Sequence, residues 1–208
     1  MPTRVKVCGI TRLEDAQWAI ELGAAALGFN FYPPSPRCIA PAAARYIIRR
    51  LAPLVMPVGV FADEEDAERV AGVARQAGVA AVQLHGPKYP KLDGVLGDFL
   101  LIRAVAVGAD FRAANLHGLQ ANAFLLDAFD PALHGGTGKS FDWSLAHEAK
   151  QYGPLILAGG LTPENVAQAI REVRPFAVDV ASGVESAPGI KDQAKLRAFF
   201  LAVQAADR

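Results

Sequence analysis

The sequence predicts a single (β/α)8 barrel, the TIM-barrel architecture, across residues 1–208. Short aliphatic or β-branched runs alternate with Ala-, Arg- and Glu-rich stretches of helical periodicity, a pattern typical of βαβ units and a parallel sheet. Eight such runs recur at intervals of roughly 20 to 32 residues, close to the ~30-residue βαβ unit. No Ser/Gly tract, charge block or composition shift marks a linker. We therefore expect one closed barrel in preference to an open doubly wound sheet.

The aliphatic runs predict the strands, and the stretches of helical periodicity predict the helices. The strands, in chain order, are Val5–Cys8, Ala26–Phe31, Pro57–Phe61, Ala80–Leu84, Leu100–Val105, Ala123–Leu126, Leu155–Ala158 and Ala177–Val180. Apolar residues at helical spacing predict helices over Leu13–Leu22, Ala42–Leu51, Glu64–Gln76, Pro163–Val173 and Gln193–Val203. The fourth and fifth helices are the least regular, because Lys88–Gly97 and Asp110–Leu116 are short or interrupted by glycine.

Several residues have the chemistry of helix starts. Thr11 and Glu14 have the spacing of a capping box, in which the hydroxyl and the carboxylate each accept a free backbone N–H. Thr162 before Pro163 predicts an N-cap followed by proline at the first helical position. The other expected N-caps are Asp63, Asp142 and Asp192, whereas Ala40 before Pro41 offers no capping side chain.

Composition excludes several classes of protein. The 208 residues include 21 basic and 21 acidic side chains, a balance that predicts neither a nucleic-acid-binding nor an anionic-membrane surface. With 52% hydrophobic residues, the chain is expected to fold without stabilising disulfide bonds or structural metal ions. Its two cysteines, Cys8 and Cys38, are typical of a reducing compartment. The N-terminus lacks the apolar core of a signal peptide, and no apolar run approaches 18 residues. We expect a soluble, cytoplasmic protein.

Polar side chains gather where the predicted strands end. Catalytic groups of (β/α)8 barrels lie at the carboxyl ends of the strands, and residues two apart share one face of a strand. The residues predicted to point into the barrel mouth are Lys6 and Cys8 on the first strand, Gln83 and His85 on the fourth, Asp127 on the sixth and Asp179 on the eighth. Their convergence at one end of the barrel predicts an active site.

Each of these residues also has a structural interpretation. Cys8 could be a small buried filler, and Asp127 could cap the loop that follows it. His85 precedes Gly86 and could be a hydrogen-bonded structural histidine. Lys6 is expected to pair with an acid inside the barrel.

Glycine-rich segments follow the last two strands of the predicted barrel. Gly159 and Gly160 precede a helix, and Ala181, Ser182 and Gly183 follow the eighth strand. Backbone N–H groups at such loops approach anions closely, and the loops after the seventh and eighth strands hold phosphate in many barrels of this type. We therefore predict a phosphate site here; the alternative is a pair of tight turns.

Two further loops border the predicted barrel mouth. Residues 135–140, Gly-Gly-Thr-Gly-Lys-Ser, resemble a Walker A loop, but Leu133 stands where its first glycine is required. Asp130–Ser140 is better interpreted as a mobile loop that shields the site. In the loop Tyr32–Cys38, Arg37 could pair with a substrate carboxylate or be a solvated arginine on a stiff loop.

Taken together, these segments resemble the phosphoribosylanthranilate isomerases of tryptophan biosynthesis. The similarity spans Val5 to about Asp192, and the order and spacing of many segments make it specific. The matching segments are Lys6–Thr11, Gly28–Tyr32, Val58–Phe61, Val82–Gly86, Leu126–Asp127, Gly136–Trp143, Gly159–Val166 and Val178–Glu185.

The resemblance implies an Amadori rearrangement of N-(5-phosphoribosyl)anthranilate, without a metal or organic cofactor. It implies that Asp127 is the general acid that opens the furanose ring and that Cys8 is the general base that removes the C2 proton. It also implies that Arg37 holds the anthranilate carboxylate and that the two glycine loops hold the phosphate. We place His85 and Asp179 among the substrate contacts. Since a free thiol is mostly protonated at neutral pH, cations such as Lys6 should lower the pKa of Cys8.

Two alternatives and one departure accompany this interpretation. A histidine-pathway aminoaldose isomerase runs the same chemistry, but it is expected to carry a carboxylate where this chain has Cys8. A non-catalytic barrel that binds a phosphorylated ligand would need neither Cys8 nor Asp127. At position 181 relatives often carry a polar residue such as serine. Because alanine has no polar side-chain atom, Ala181 can contact the phosphate only through its backbone. Alanine-rich helix faces are compatible with a monomer or a homodimer.

Overall fold

The computed structural model describes residues 2–86, 90, 94–108, 110–127 and 143–207, without the side chains of Trp143 and Ser144. Eight parallel strands form a closed barrel, which confirms the predicted fold. They are β1 (Arg4–Cys8), β2 (Ala26–Asn30), β3 (Met56–Ala62), β4 (Ala81–His85), β5 (Leu100–Ala106), β6 (Ala123–Asp127), β7 (Leu155–Ala158) and β8 (Ala177–Val180). Each strand pairs with the next, and β8 closes the barrel against β1.

Helices cover the outside of the barrel. They are α1 (Leu13–Glu21), α2 (Pro41–Ile48), α3 (Ala67–Ala77), α4 (Trp143–Ala149), α5 (Val166–Val173) and α6 (Gln193–Ala206). The predicted fifth helix is a short 3-10 turn, Ala113–Leu116, and much of the predicted fourth lies outside the described residues. In the part of the chain that the structure describes, no helix is both long and apolar enough to span a bilayer.

Strand alternation divides the apolar side chains into two layers. Inward residues such as Val58, Ile102 and Leu125 form a small cluster inside the barrel. Outward residues such as Val7 and Leu126 pack against the helices in the larger core. Side chains at the strand ends that share the inward face therefore point into the barrel mouth.

The predicted helix caps are partly confirmed. The Asp192 carboxylate accepts the Lys195 N–H at 2.9 Å and caps α6, and α2 begins at Pro41 without a side-chain cap, as expected. Asp63 is not an N-cap, because Asp66 accepts the N–H groups of Glu68 and Arg69 at the start of α3. Asp142 lies outside the described residues.

The two threonine caps predicted from the sequence have different outcomes. The Thr11 hydroxyl donates to the carbonyl of Gly189 instead of capping α1, whose N-cap is Arg12. The Thr162 hydroxyl accepts the N–H of Glu164 at 3.3 Å, as predicted for a cap, and the Thr162 carbonyl accepts the N–H of Val166 at 3.1 Å. The regular helix α5 nevertheless starts only at Val166, so Thr162 caps the turn that leads into it. At Thr11, a tertiary contact takes the hydroxyl that the capping pattern had assigned to the helix.

A hairpin that was not predicted from the sequence follows β8. Strands β9 (Glu185–Ala187) and β10 (Ile190–Lys191) pair antiparallel. The turn between them includes Gly189, whose φ of 78° favours glycine. This hairpin lies between the end of β8 and α6, and it brings Glu185 and Lys191 to the barrel mouth.

Candidate active site

A cavity of about 440 Å³ opens at the carboxyl ends of the strands. It is lined by nine of the predicted site residues, namely Cys8, Arg37, His85, Asp127, Gly159, Gly160, Asp179, Ala181 and Ser182. Asn30, Gln83 and Leu125 also line it. A second cavity of about 680 Å³ at the opposite end of β5 has Asp98 as the one ionisable side chain among its described lining residues. Of these two cavities, the first therefore carries most of the ionisable side chains.

A buried ion pair forms the floor of this site. The Lys6 Nζ lies 3.0 Å from both carboxylate oxygens of Asp179, and the two residues are in register on β1 and β8. Burial alone would lower the pKa of Lys6, but Asp179 and Cys8 together raise it above its ordinary value. Lys6 thus pairs with an interior acid, as the structural interpretation predicted, and the charge of Asp179 is offset by its partner.

Cys8 ends β1 next to this ion pair. Burial raises the pKa of its thiol and outweighs Lys6 and Lys191, which both lower it, while Asp179 raises it further. The expectation that neighbouring cations bring this pKa below its ordinary value is therefore wrong for the free protein. The sequence identified Lys6 correctly as a neighbouring cation. It could not predict the extent of burial, and the resulting desolvation decides whether the pKa of Cys8 rises or falls.

His85 ends β4 and is a neutral imidazole at physiological pH. Burial, with a smaller contribution from Lys6, lowers its pKa to about 4. Its Nε2 lies in hydrogen-bonding contact with the side-chain amide of Gln83, which shares its strand face as predicted. A neutral His85 can donate or accept one hydrogen bond in the cavity without adding charge.

Arg37 reaches the cavity from the loop between β2 and α2. Its Nε and Nη2 donate to the Glu185 carboxylate at 2.9 and 2.7 Å. The side chain crosses directly over Gly9, where a Cβ would lie 2.6 Å from Arg37 Cδ. The hydrogen bond to Glu185 raises the pKa of Arg37, so the group remains a cation. Arg37 is therefore held in place and is not the solvated arginine of the alternative interpretation.

The loops after β7 and β8 lie side by side at the cavity wall. Gly159 and Gly160 have φ values of 88° and 63°, which non-glycine residues seldom adopt. The side chain of Asn165 donates to the carbonyl of Gly160 at 2.9 Å and braces this turn. Gly183 is not a lining residue; a Cβ on it would meet the carbonyl oxygen of Leu161 at 2.0 Å. It allows the two loops to approach each other.

Gly28 on β2 is a site residue that the sequence reasoning did not select, although it lies in a segment quoted for the resemblance. It is in register with Cys8, and a Cβ there would lie 2.7 Å from Cys8 Sγ and 3.1 Å from Cys8 Cα. The pairing of β1 with β2, once the barrel was predicted, was the signal that could have identified it. Gly28 provides the space that the thiol occupies.

With Cys8 as the general base that the resemblance implies, we expect Gly28→Ala to lower kcat at least tenfold, because the new methyl group would displace the thiol. Overpacking should also cost about 1–3 kcal/mol in the free energy of unfolding. The matched control is Gly72→Ala in α3, where a Cβ has no neighbour within 4 Å and alanine should stabilise the helix by about 1 kcal/mol. Steady-state kinetics and urea unfolding measure both effects, and an unchanged kcat in Gly28→Ala would contradict this role.

The fold and the cavity define a (β/α)8-barrel protein with a candidate ligand site at the carboxyl ends of the strands. The family model described as N-(5'-phosphoribosyl)anthranilate (PRA) isomerase matches residues 5–202. The chain belongs to this family of enzymes.

Similar proteins cover almost the whole chain. An N-(5'-phosphoribosyl)anthranilate isomerase from Geobacter sp. (strain M21) is 50% identical over 197 residues, which are 95% of this chain and 96% of the relative. The crystal structure of phosphoribosyl anthranilate isomerase from Thermotoga maritima is 44% identical, with a TM-score of 0.86 and coverage of 98% and 99%. A further such isomerase, solved with reduced 1-(o-carboxyphenylamino)-1-deoxyribulose 5-phosphate, is 42% identical with a TM-score of 0.83, at coverage of 98% and 99%.

Proposed function

We propose that this chain converts N-(5-phosphoribosyl)anthranilate into 1-(o-carboxyphenylamino)-1-deoxyribulose 5-phosphate, a step of tryptophan biosynthesis. The observation that carries the proposal is one cavity lined by Cys8, Asp127, Arg37 and the loops after β7 and β8, in a member of this isomerase family. The relative that binds the reduced product supports the substrate class. The cavity offers an acid, a base, a cation for a carboxylate and backbone N–H groups for a phosphate.

In the proposed reaction Asp127 is the general acid and Cys8 the general base. Asp127 protonates the furanose ring oxygen, the bond from C1 to this oxygen breaks, and the lone pair of the anilino nitrogen forms the iminium at C1. The Cys8 thiolate then removes the C2 proton, and the electron pair of the C2–H bond neutralises the iminium to give an enolamine. Tautomerisation of the enolamine gives the ketone, so no electrons enter or leave.

Arg37 is proposed to hold the anthranilate carboxylate. A guanidinium has five N–H donors, and the contacts to Glu185 use Nε and Nη2. The Nη1 donors are then suited to a second carboxylate at the cavity. His85 and Asp179 line the same cavity and are proposed as further substrate contacts, His85 as a neutral hydrogen-bonding group.

The phosphate is proposed to bind the backbone N–H groups of Gly159, Gly160, Ala181 and Ser182, which line the cavity. Gly183, predicted as a further ligand, is proposed to act by allowing the two loops to approach each other. Since α5 starts only at Val166, the glycine turn contributes more to this site than the helix terminus does. Lys191 donates to the carbonyl of Ala181 at 3.2 Å, which fixes the second loop.

Gly183→Ala tests this phosphate site. Its methyl group would clash with the Leu161 carbonyl and push the two loops apart, so we expect KM to rise at least tenfold with a smaller change in kcat. Inorganic phosphate should also become a weaker inhibitor. Gly72→Ala again serves as the control. If KM and phosphate inhibition were unchanged in Gly183→Ala, the phosphate would have to bind elsewhere.

The substrate assay distinguishes the proposed function from its alternatives. Purified protein is given freshly generated phosphoribosylanthranilate, and the loss of the fluorescence of the anthranilate adduct is followed. The histidine-pathway aminoaldose is assayed in parallel. Rapid loss with the first substrate alone supports the proposal. Turnover of the aminoaldose alone would instead identify the histidine-pathway enzyme, and binding without turnover would identify a ligand-binding barrel.

The groups proposed for the reaction all lie on this chain, so the proposed mechanism is compatible with both a monomer and a homodimer. The oligomeric state predicted from the sequence stays open between these two. Analytical ultracentrifugation at micromolar concentration decides between them.

A further inference from the structure

A buried lysine outside the proposed acid–base pair lies against the barrel mouth. Lys191 on β10 is fully buried. Its Nζ donates to the carbonyl oxygen of Cys8 at 2.5 Å, to the carbonyl oxygen of Ala181 at 3.2 Å and to Glu185 Oε1 at 2.8 Å. Burial lowers the pKa of Lys191, whereas the hydrogen bond to Glu185 opposes this change. Because three acceptors match the three N–H donors of an ammonium group, the geometry favours a charged lysine.

These three acceptors belong to different parts of the site. Cys8 ends β1, Ala181 follows β8, and Glu185 holds the Arg37 guanidinium. The backbone of Lys191 is itself fixed, because its N–H donates to Asp15 Oδ2 at 3.1 Å. One ammonium group thus links the proposed base, the second phosphate loop and the proposed carboxylate ligand.

We propose that Lys191 is a positioning residue for the isomerase reaction: its ammonium group holds the backbone of Cys8 at the cavity, places a positive charge beside this residue, and anchors Arg37 through Glu185. The proposal rests on the proposed function, in which Cys8 is the general base. Lys191 reaches the backbone of Cys8 from behind the cavity and is not itself a lining residue. It acts through its neighbours and does not contact the substrate.

The charges around Cys8 determine what the loss of Lys191 should do. Lys6 and Lys191 lower the pKa of the thiol, whereas burial and Asp179 raise it; Arg37 interacts with the same thiol electrostatically. Since burial already raises this pKa, removing one of the cations should raise it further. A base with a higher pKa is less ionised at neutral pH, so the rate should fall at neutral pH and recover in alkali.

The test compares Lys191→Gln with Lys191→Arg, both in a Cys38→Ser background so that Cys8 is the one cysteine that can be alkylated. The pH dependence of kcat/KM and the rate of iodoacetamide alkylation of Cys8, followed by mass spectrometry, are measured. For Lys191→Gln we expect kcat/KM at pH 7 to fall about tenfold, which corresponds to one pKa unit. Both pH profiles should move to higher pH. Lys191→Arg keeps the positive charge and should restore their position.

Lys195→Gln is the matched control. The Lys195 ammonium donates to the backbone carbonyl of Glu185 at 2.8 Å, so it touches the same hairpin, but it is exposed and is not among the charges that affect Cys8. Its pH profiles should coincide with those of the Cys38→Ser parent. If Lys191 had a merely structural role, Lys191→Gln would lower kcat/KM by the same factor at every pH and would not shift the pH profile of alkylation. That result would overturn the proposal.

Two further variants keep the result interpretable. If Lys191→Gln does not fold, because Glu185 loses a buried partner, then Lys191→Gln with Glu185→Gln is compared with Glu185→Gln alone. The same shift of the alkylation profile is expected, and its absence overturns the proposal. Cys8→Ser is assayed in parallel: if it keeps full turnover, the assignment of the base fails. Alkylation of the Lys191 variants still measures the coupling between Lys191 and Cys8 in that case.

Discussion

Replacing Cys8 with serine is expected to lower kcat by about 100-fold or more, the usual contribution of a positioned general base. A serine hydroxyl has nearly the size of the thiol, but it ionises far less readily and cannot take the C2 proton. Lys6 and Asp179 should keep their ion pair, so the site remains formed. Steady-state kinetics with phosphoribosylanthranilate measures the loss.

Cys38→Ser is the matched control for this substitution. Cys38 is exposed and is not a lining residue of the cavity, so the same change there should leave kcat within about twofold. The reduced product should still bind to Cys8→Ser, which separates a loss of chemistry from a loss of fold. Turnover of Cys8→Ser close to that of the parent would mean that another group is the base.

Replacing Asp127 with asparagine is expected to have a comparable effect, again about 100-fold or more on kcat. The amide has the shape of the carboxyl group but has no acidic proton to give to the ring oxygen, so the furanose ring should stay closed. Asp127 ends β6 in register with Ala106 and Ala158, and the backbone at this position should tolerate asparagine. Kinetics and binding of the reduced product are measured as for Cys8→Ser.

Asp98→Asn is the control for the second substitution. Asp98 is exposed and pairs with Arg75 at the opposite end of the barrel, where an isolated surface ion pair contributes at most about 1 kcal/mol. It should leave kcat unchanged. If Asp127→Asn turned over as fast as Asp98→Asn, ring opening would have to depend on another acid.

The barrel and the inward side chains were predictable from the sequence because strand alternation has a fixed period. All eight strands were found, and two-residue spacing placed Lys6 with Cys8 and Gln83 with His85 correctly. A single rule, that barrel sites lie at the carboxyl ends of strands, then located the cavity.

The hairpin β9–β10 was not predicted because strands of three and two residues show no periodicity. The dipeptide Pro188-Gly189 is a turn signal and could have indicated it. Without the hairpin, neither Glu185 nor Lys191 could be placed at the site, and Arg37 was left without its partner. The contact of Thr11 with Gly189 was missed for the same reason, because Gly189 lies in the turn of this unpredicted hairpin.

The direction of the Cys8 pKa shift could not be predicted from the sequence, for a different reason. Its sign depends on a competition between burial and the surrounding charges, and burial is a property of the packed barrel. The sequence placed Lys6 and Asp179 at the barrel mouth with Cys8, but Lys191 comes close only when the unpredicted hairpin β9–β10 packs there.

The most direct test of the account is the turnover of freshly generated phosphoribosylanthranilate by the wild-type protein, Cys8→Ser and Asp127→Asn, with the product identified by chromatography. The account predicts rapid formation of 1-(o-carboxyphenylamino)-1-deoxyribulose 5-phosphate by the wild type and a rate lower by about 100-fold or more in each variant, with the reduced product still bound. No turnover by the wild type, or turnover that either substitution leaves unchanged, would contradict it.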